Sequence, residues 1–246
     1  MEHLSGKVAI VTGGSRGIGR EIAEKLSLHG AWVVVNYSSS AEKAQEVVKR
    51  IQTNGGKAVA IKADVSNVRE IEHLFSETLS TFGKVDILIN NAGIMVNKPL
   101  EKVTEADFDQ QFSINVKGTY FACQQAYQHM GKNGRIISFS TSVTGLMFPT
   151  YSVYAATKGA VEQISRQLAK EFGHKNITIN TIAPGPVNTE LFTVGKTEQQ
   201  IQGLKNMNAF GRLAETQDIS EVVCFLVSEQ AAWITGQTIR VNGGLI

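Results

Sequence analysis

The stretch Lys7-Val8-Ala9-Ile10-Val11-Thr12-Gly13-Gly14-Ser15-Arg16-Gly17-Ile18-Gly19 opens with branched aliphatics, passes through a glycine-rich turn and enters a segment of helical period. So short an apolar run reads as a buried strand, and Gly17 to His29 as a helix. Strand, glycine turn and helix in that order aim backbone N–H groups and a helix N-terminus at a phosphate. The glycines follow G-x-x-x-G-x-G rather than the general dinucleotide fingerprint G-x-G-x-x-G. With 23 Gly among 246 residues, three at one fixed spacing arise by chance in about one chain in five. The flanking strand and helix therefore carry the argument. Gly13, Ser15, Arg16, Gly17, Ile18 and Gly19 become candidate cofactor-binding residues.

The same alternation continues outward from this stretch. Further strand-like runs lie at Ala31 to Tyr37, Lys57 to Ala63, Val85 to Asn90, Arg135 to Phe139, Ile177 to Ala183 and Thr238 to Val241. Helical period fits Ala41 to Asn54, Val68 to Phe82, Ala106 to Met130, Tyr151 to Phe172 and Asp218 to Leu226, with stops at Gly30, Gly55 and Gly83. Repeated strand and helix units predict an α/β chain with one domain over residues 1–246. The expected architecture is a Rossmann-type doubly wound fold, a seven-stranded parallel sheet with helices on both faces. The least patterned stretch, Pro184 to Phe210, is read as a substrate lid, because long connections in compact domains are usually functional.

Composition narrows the partners. The chain is 42% hydrophobic and 19% charged, and 24 Lys+Arg against 22 Asp+Glu leave a net charge of +2. So even a balance argues against nucleic acid or an anionic membrane as partner. Cys123 and Cys224 stand far apart, with neither a C-x-x-C pair nor a histidine at ligand spacing, so no disulfide framework and no metal site is expected. Met1-Glu2-His3-Leu4-Ser5-Gly6-Lys7 lacks the apolar core of a signal peptide. No stretch nears the roughly 20 apolar residues of a membrane span. A cytoplasmic location is the expectation.

The second strand-like run ends Val35-Asn36-Tyr37-Ser38, without an acid. A carboxylate there takes the ribose 2′-hydroxyl of NAD, whereas an arginine accommodates the 2′-phosphate of NADP. With Arg16 in the glycine turn, the expected cofactor is NADP(H), contacted also by Asn36, Tyr37 and Ser38. Farther on, Tyr154 and Lys158 stand four apart in a helical segment, on one face. A free phenol titrates at about 10, too high for efficient proton exchange at neutral pH, and a neighbouring cation lowers that value. Ser138-Phe139-Ser140-Thr141-Ser142 closes a strand. Parallel sheets bind ligands beyond their carboxyl ends, so a hydroxyl here can hold a substrate oxygen; it can equally cap a turn.

Together these residues resemble a short-chain dehydrogenase/reductase of the basic type, over essentially the whole chain. Thr12 to Gly19 resembles the family's T-G-x-x-x-G-x-G loop, Asp64-Val65 its acidic residue beside the adenine, and Asn90-Asn91-Ala92-Gly93 its N-N-A-G element. Asn115 resembles its helix asparagine, and Pro184-Gly185-Pro186-Val187-Asn188-Thr189 its P-G-x-V-x-T segment. The resemblance implies that Tyr154 is the general acid or base, and that Lys158 binds the nicotinamide ribose and depresses the tyrosine pKa. It implies that Asn115 bends its helix and supports a water relay, and that Val187 and Thr189 meet the nicotinamide carboxamide. Asp64, Val65, Asn91, Ala92, Gly93, Tyr154, Lys158, Pro184 and Gly185 thereby join the cofactor set.

The family serine usually stands thirteen residues before the tyrosine, where this chain has Thr141. Ser142 opens Ser142-Val143-Thr144-Gly145, similar to the family's S-x-x-G, so Ser142 is taken as the hydroxyl that holds the substrate oxygen, with Ser140 as fallback. The implied reaction is NADP-dependent reduction of a carbonyl. Met95, Met147, Phe148, Tyr151, Leu191, Phe192 and Met207 about the expected pocket suggest an apolar or aromatic ketone. An alternative is a 3-oxoacyl-[acyl-carrier-protein] reductase, which Ile234-Thr235-Gly236 and Val241-Asn242-Gly243-Gly244 resemble. Only Lys132, Lys175 and Arg166 offer basic docking for an acidic carrier, which ranks that alternative second. A remoter one is a catalytically idle NADP-binding sensor. The family also implies a homotetramer, for which Ala155, Ala156, Gly159 and Ala160 offer small residues for close helix packing; they serve equally for packing against the sheet.

Overall fold

The run after Lys7 forms β1 (Val8–Val11) in the computed structural model, which describes residues 4–246; Met1, Glu2 and His3 at the N-terminus lie outside the described residues. The other strands are β2 (Trp32–Tyr37), β3 (Lys57–Lys62), β4 (Ile87–Asn90), β5 (Arg135–Phe139), β6 (Thr178–Pro184) and β7 (Thr238–Val241). All pair in parallel in the order β3-β2-β1-β4-β5-β6-β7. The order reverses between β1 and β4, and the crevice beyond the carboxyl ends of those strands is where a doubly wound sheet takes a ligand.

Successive residues along each central strand feed opposite faces. Val11, Val33, Val35, Ile89 and Ile137 pack into one core with Ile22, Leu26, Val47 and Ile219. Ile10, Val34, Leu88 and Ile136 pack into the other with Ile71, Leu74, Phe75 and Ala126. Burial on both faces is why these strands read as unbroken aliphatic runs rather than alternating ones.

Helices α1 (Gly17–Leu28), α2 (Ala41–Thr53) and α3 (Val68–Phe82) stop where expected. Gly30, Gly55 and Gly83 take φ of 95°, 81° and 78°, a conformation L side chains rarely adopt. The helix expected from Ala106 to Met130 is instead α4 (Glu105–Phe112), a π turn over Ser113–Lys117, and α5 (Gly118–His129). Then follows α6 (Ser152–Phe172). The stretch from Pro184 to Phe210 holds two short helices, α7 (Glu190–Thr193) and α8 (Glu198–Lys205). Thr197 and Gln200 form a capping box at the start of α8, a T-x-x-Q signal that was present in the sequence. Last comes α9 (Thr216–Leu226).

Candidate active site

The turn after β1 is laced to the turn after β4. The Thr12 hydroxyl donates to the Ile89 carbonyl at 3.1 Å and accepts from the N–H groups of Asn91 and Ala92, each at 3.0 Å. Asn91 reciprocates, its amide donating to the carbonyls of Thr12 at 2.9 Å and Gly13 at 3.2 Å. Asn36 buttresses the same turn from β2. Its Oδ1 accepts from the Gly13 N–H at 3.3 Å while its Nδ2 donates to the Ala63 carbonyl at 3.0 Å. Sequence reasoning gave Asn36 a cofactor contact and missed Thr12; both act first as the scaffold of the loop.

This scaffold opens a cleft of about 220 Å³. It is lined by the glycine turn, by Asn36, Tyr37 and Ser38, by Asp64 and Val65, and by Asn91, Ala92 and Gly93, all expected there. Thr189 reaches the same cleft, whereas Pro184, Gly185 and Val187 line the pocket beside it. A Cβ at Gly13 would stand 3.1 Å from the Cα of Ala92, and one at Gly19 would overlap the Gly13 carbonyl oxygen. At Gly17 it would point at Thr189, its nearest atom 3.6 Å away, so a side chain there would begin to fill the cradle itself. An open cradle floored by glycines suits the backbone approach a pyrophosphate requires.

Asn115 sits in the π turn, fully buried. Its side chain accepts from the Ile94 N–H at 2.9 Å and donates to the Ile94 carbonyl at 2.9 Å and the Thr157 hydroxyl at 3.0 Å. It thereby pins the segment after Gly93 to α6, the helix that carries Tyr154 and Lys158. A Cβ at Gly93 would stand 3.2 Å from Asn115 Oδ1 and 3.4 Å from Lys158 Nζ. The glycine leaves those two polar groups room on one side of the cleft.

Lys158 is buried and donates to the Phe139 carbonyl at 2.7 Å. Burial pushes its ammonium down to about 8. Tyr154 is half-buried as a residue, with its hydroxyl end crowded by protein; that desolvation pushes the phenol up to about 12, and a hydrogen bond with the Thr141 side chain pulls the other way. The expected depression of Tyr154 by Lys158 is therefore absent. Lys158 Nζ lies 5.9 Å from the centre of the tyrosine ring, and loss of water is the largest cause of the upward shift.

The hydroxyl cluster after β5 divides its labour. Thr141 lines the pocket with Tyr154, its hydroxyl accepting from the Val143 N–H at 3.3 Å, and its side chain favours the ionised phenol. Ser142 lines the same pocket, but its buried hydroxyl donates to the Ala183 carbonyl at 3.1 Å and accepts from Asn242 at 3.0 Å. Ser140, which also lines the pocket, donates to Glu162 at 2.6 Å. Thr141, thirteen residues before the tyrosine, and Ser142, which opens the S-x-x-G pattern, both line the pocket that holds Tyr154.

Around Tyr154, Thr141 and Lys158 lies a pocket of about 150 Å³. Met95, Phe148, Tyr151, Leu191 and Phe192 line it as expected. Met147 does not, being 99% exposed, and Met207 is also turned outward. Leu204 from α8 and Leu245 near the C-terminus were not foreseen. Both close the apolar wall from sequence positions far from the catalytic motifs.

Residues 13–246 match the family model described as Enoyl-(Acyl carrier protein) reductase. The chain is 43% identical over 256 residues to the hydroxynaphthalene reductase-like protein Arp2 of Metarhizium robertsii, covering 99% of this chain and 96% of that protein. The chain belongs to the short-chain dehydrogenase/reductase family. A second relative in this oxidoreductase family is the trihydroxynaphthalene reductase PfmaI of Pestalotiopsis fici, 40% identical over 253 residues, 98% of this chain and 89% of the relative. Among solved short-chain dehydrogenase/reductase structures, the angucycline C-6 ketoreductase LanV with bound NADP superposes with a TM-score of 0.94 at 38% identity, covering 99% of this chain and 96% of that one.

Proposed function

We propose that this protein reduces a ketone borne by an aromatic ring system to the alcohol, with NADPH as cofactor. The observation that carries the reading is an apolar pocket, lined by Tyr154, Lys158, Thr141 and Ser142, that adjoins the glycine-turn cleft. The relatives named for hydroxynaphthalenes and for an angucycline ketone support the aromatic substrate. NADPH, when bound, supplies the hydride.

The glycine turn, Asp64, Val65 and Asn91 to Gly93 hold the dinucleotide in this reading. Arg16, with no acid at the end of β2, fits a 2′-phosphate. Thr141 positions the carbonyl oxygen beside the phenol, and Tyr154 gives it the proton. A phenol held near 12 keeps that proton throughout the physiological range, and the oxygen left after hydride addition is a stronger base still. Lys158, near 8, exchanges its own proton close to neutral pH and can restore the site.

A second reading, reduction of a carrier-bound thioester, has the description of the matched family model in its favour. One screen separates the two. NADPH oxidation is followed with tetralone-type and polycyclic ketones, aliphatic ketones, aldehydes, quinones and a 3-oxoacyl thioester, each repeated with NADH. Aromatic ketones with NADPH are expected to turn over fastest; a preference for the thioester or for NADH overturns the assignment.

The hydroxyls make their own prediction. Thr141→Val is expected to lower kcat by about 100-fold, as loss of one positioned donor does. Ser142→Ala, whose hydroxyl already serves Ala183 and Asn242, is expected to cost under about five-fold. The opposite ranking in steady-state kinetics returns the role to Ser142.

No helix among the described residues is long and apolar enough to cross a membrane. A cytoplasmic enzyme is the proposal, assembled as a homotetramer through α6. Ala156 is exposed there, and a Cβ at Gly159 would meet nothing within 4 Å.

A further inference from the structure

Two cations from different elements converge on one carboxylate at the rim of the cofactor cleft. Glu190, the first residue of α7 in the lid, places Oε2 4.0 Å from Arg16 Nη1 in the glycine turn and 3.5 Å from Lys43 Nζ on α2. Its Oε1 is likewise 3.5 Å from Lys43. Arg16, Glu190, Ser38, Ser39 and Ser40 all line that cleft, and Lys43 reaches it through Glu190. All three charged side chains are largely exposed, so their pairing contributes little to folding. Its consequence lies with what else can take the place of the carboxylate.

We infer that Arg16 and Lys43 form a two-cation clamp for the 2′-phosphate of the cofactor, and that Glu190 occupies this clamp until the phosphate displaces it. The inference rests on the NADP(H) reading above and adds to it a second cation and an internal competitor. A phosphate monoester carries nearly two negative charges at neutral pH and three acceptor oxygens, against one charge on Glu190. The exchange therefore favours the phosphate. It also unties α7 from α2, so the group that marks NADP from NAD is the group that releases the lid. A cofactor without the phosphate has nothing to displace the carboxylate with.

The test is calorimetric titration of the whole protein with adenosine 2′,5′-bisphosphate and with AMP, which differ only in the 2′-phosphate. The unaltered chain is expected to prefer the bisphosphate. Lys43→Ala is expected to weaken the bisphosphate about five-fold and leave AMP unchanged, the scale of one exposed ion pair. Glu190→Gln is expected to tighten the bisphosphate about three-fold, again without effect on AMP. A wild-type preference that neither variant alters overturns the clamp while leaving the NADP reading standing. Absence of any preference in the unaltered chain overturns both.

Discussion

Tyr154→Phe is expected to lower ketone turnover by about a thousand-fold while leaving the dissociation constant for NADPH within about two-fold. The substitution removes one oxygen from the pocket wall and keeps the ring, so the contact with Tyr151, whose ring centre lies 6.3 Å away, persists. What is lost is the phenol hydroxyl, the proton donor in this reading. Fluorescence titration of NADPH and single-turnover oxidation on the same sample separate binding from chemistry. Residual turnover within ten-fold of the unaltered enzyme, with binding intact, would mean that another group gives the proton.

Lys158→Met is expected to move activity and stability in opposite directions. Turnover should fall by about a hundred-fold or more, because the cation that borders the phenol and the cofactor cleft is gone. Stability should rise. Burial holds the lysine at about 8 against an ordinary 10.5, so below pH 8 the folded chain carries a charge that the unfolded chain solvates better. The folded protein releases that proton first as pH climbs, and stability grows between about 8 and 10.5. Tyr154 opposes this higher up, since a phenol raised from 10 to about 12 makes the folded state hold its proton longer and stability fall across that interval. At neutral pH the variant should melt about 5 °C higher, net of the hydrogen bond to Phe139 that it forgoes. Thermal melts at pH 7 and pH 9.5 check the sign, for the variant's advantage should shrink at the higher pH. An unchanged or lower melting temperature at pH 7 would place the ammonium in a well-solvated setting.

Strands and glycine stops were legible because each follows from local rules: both sheet faces are buried, and the chain needs a left-handed residue to leave a helix. The cofactor cleft was legible because its lining residues cluster within a few positions of four strand ends. Three things escaped. The resemblance put a bend at Asn115 but not the π form it takes over Ser113–Lys117, since Asn115 acquires its partners Ile94 and Thr157 only when distant segments meet. The choice between Thr141 and Ser142 turns on which way the backbone aims each hydroxyl, which neither a four-residue pattern nor a distance of thirteen reports. The direction of the tyrosine shift depends on how much water reaches the hydroxyl, a three-dimensional quantity that charge spacing does not report.

The π turn carries one more consequence, for anyone who edits or aligns this region. A wider turn inserts extra chain without lengthening the rod in proportion, and each residue of an α-helix accounts for about 100° of rotation. Deleting a single residue between Ser113 and Lys117 would let α4 and α5 fuse into regular geometry with their outer faces kept, so the Phe108–Phe112 stack, 4.4 Å between ring centres, would hold its side of the rod while Asn115 lost the wide turn that presents it to Ile94 and Thr157. A gap of one position in this segment therefore leaves the sides of the rod in place and removes the asparagine's perch, and two chains that differ only there are not interchangeable parts.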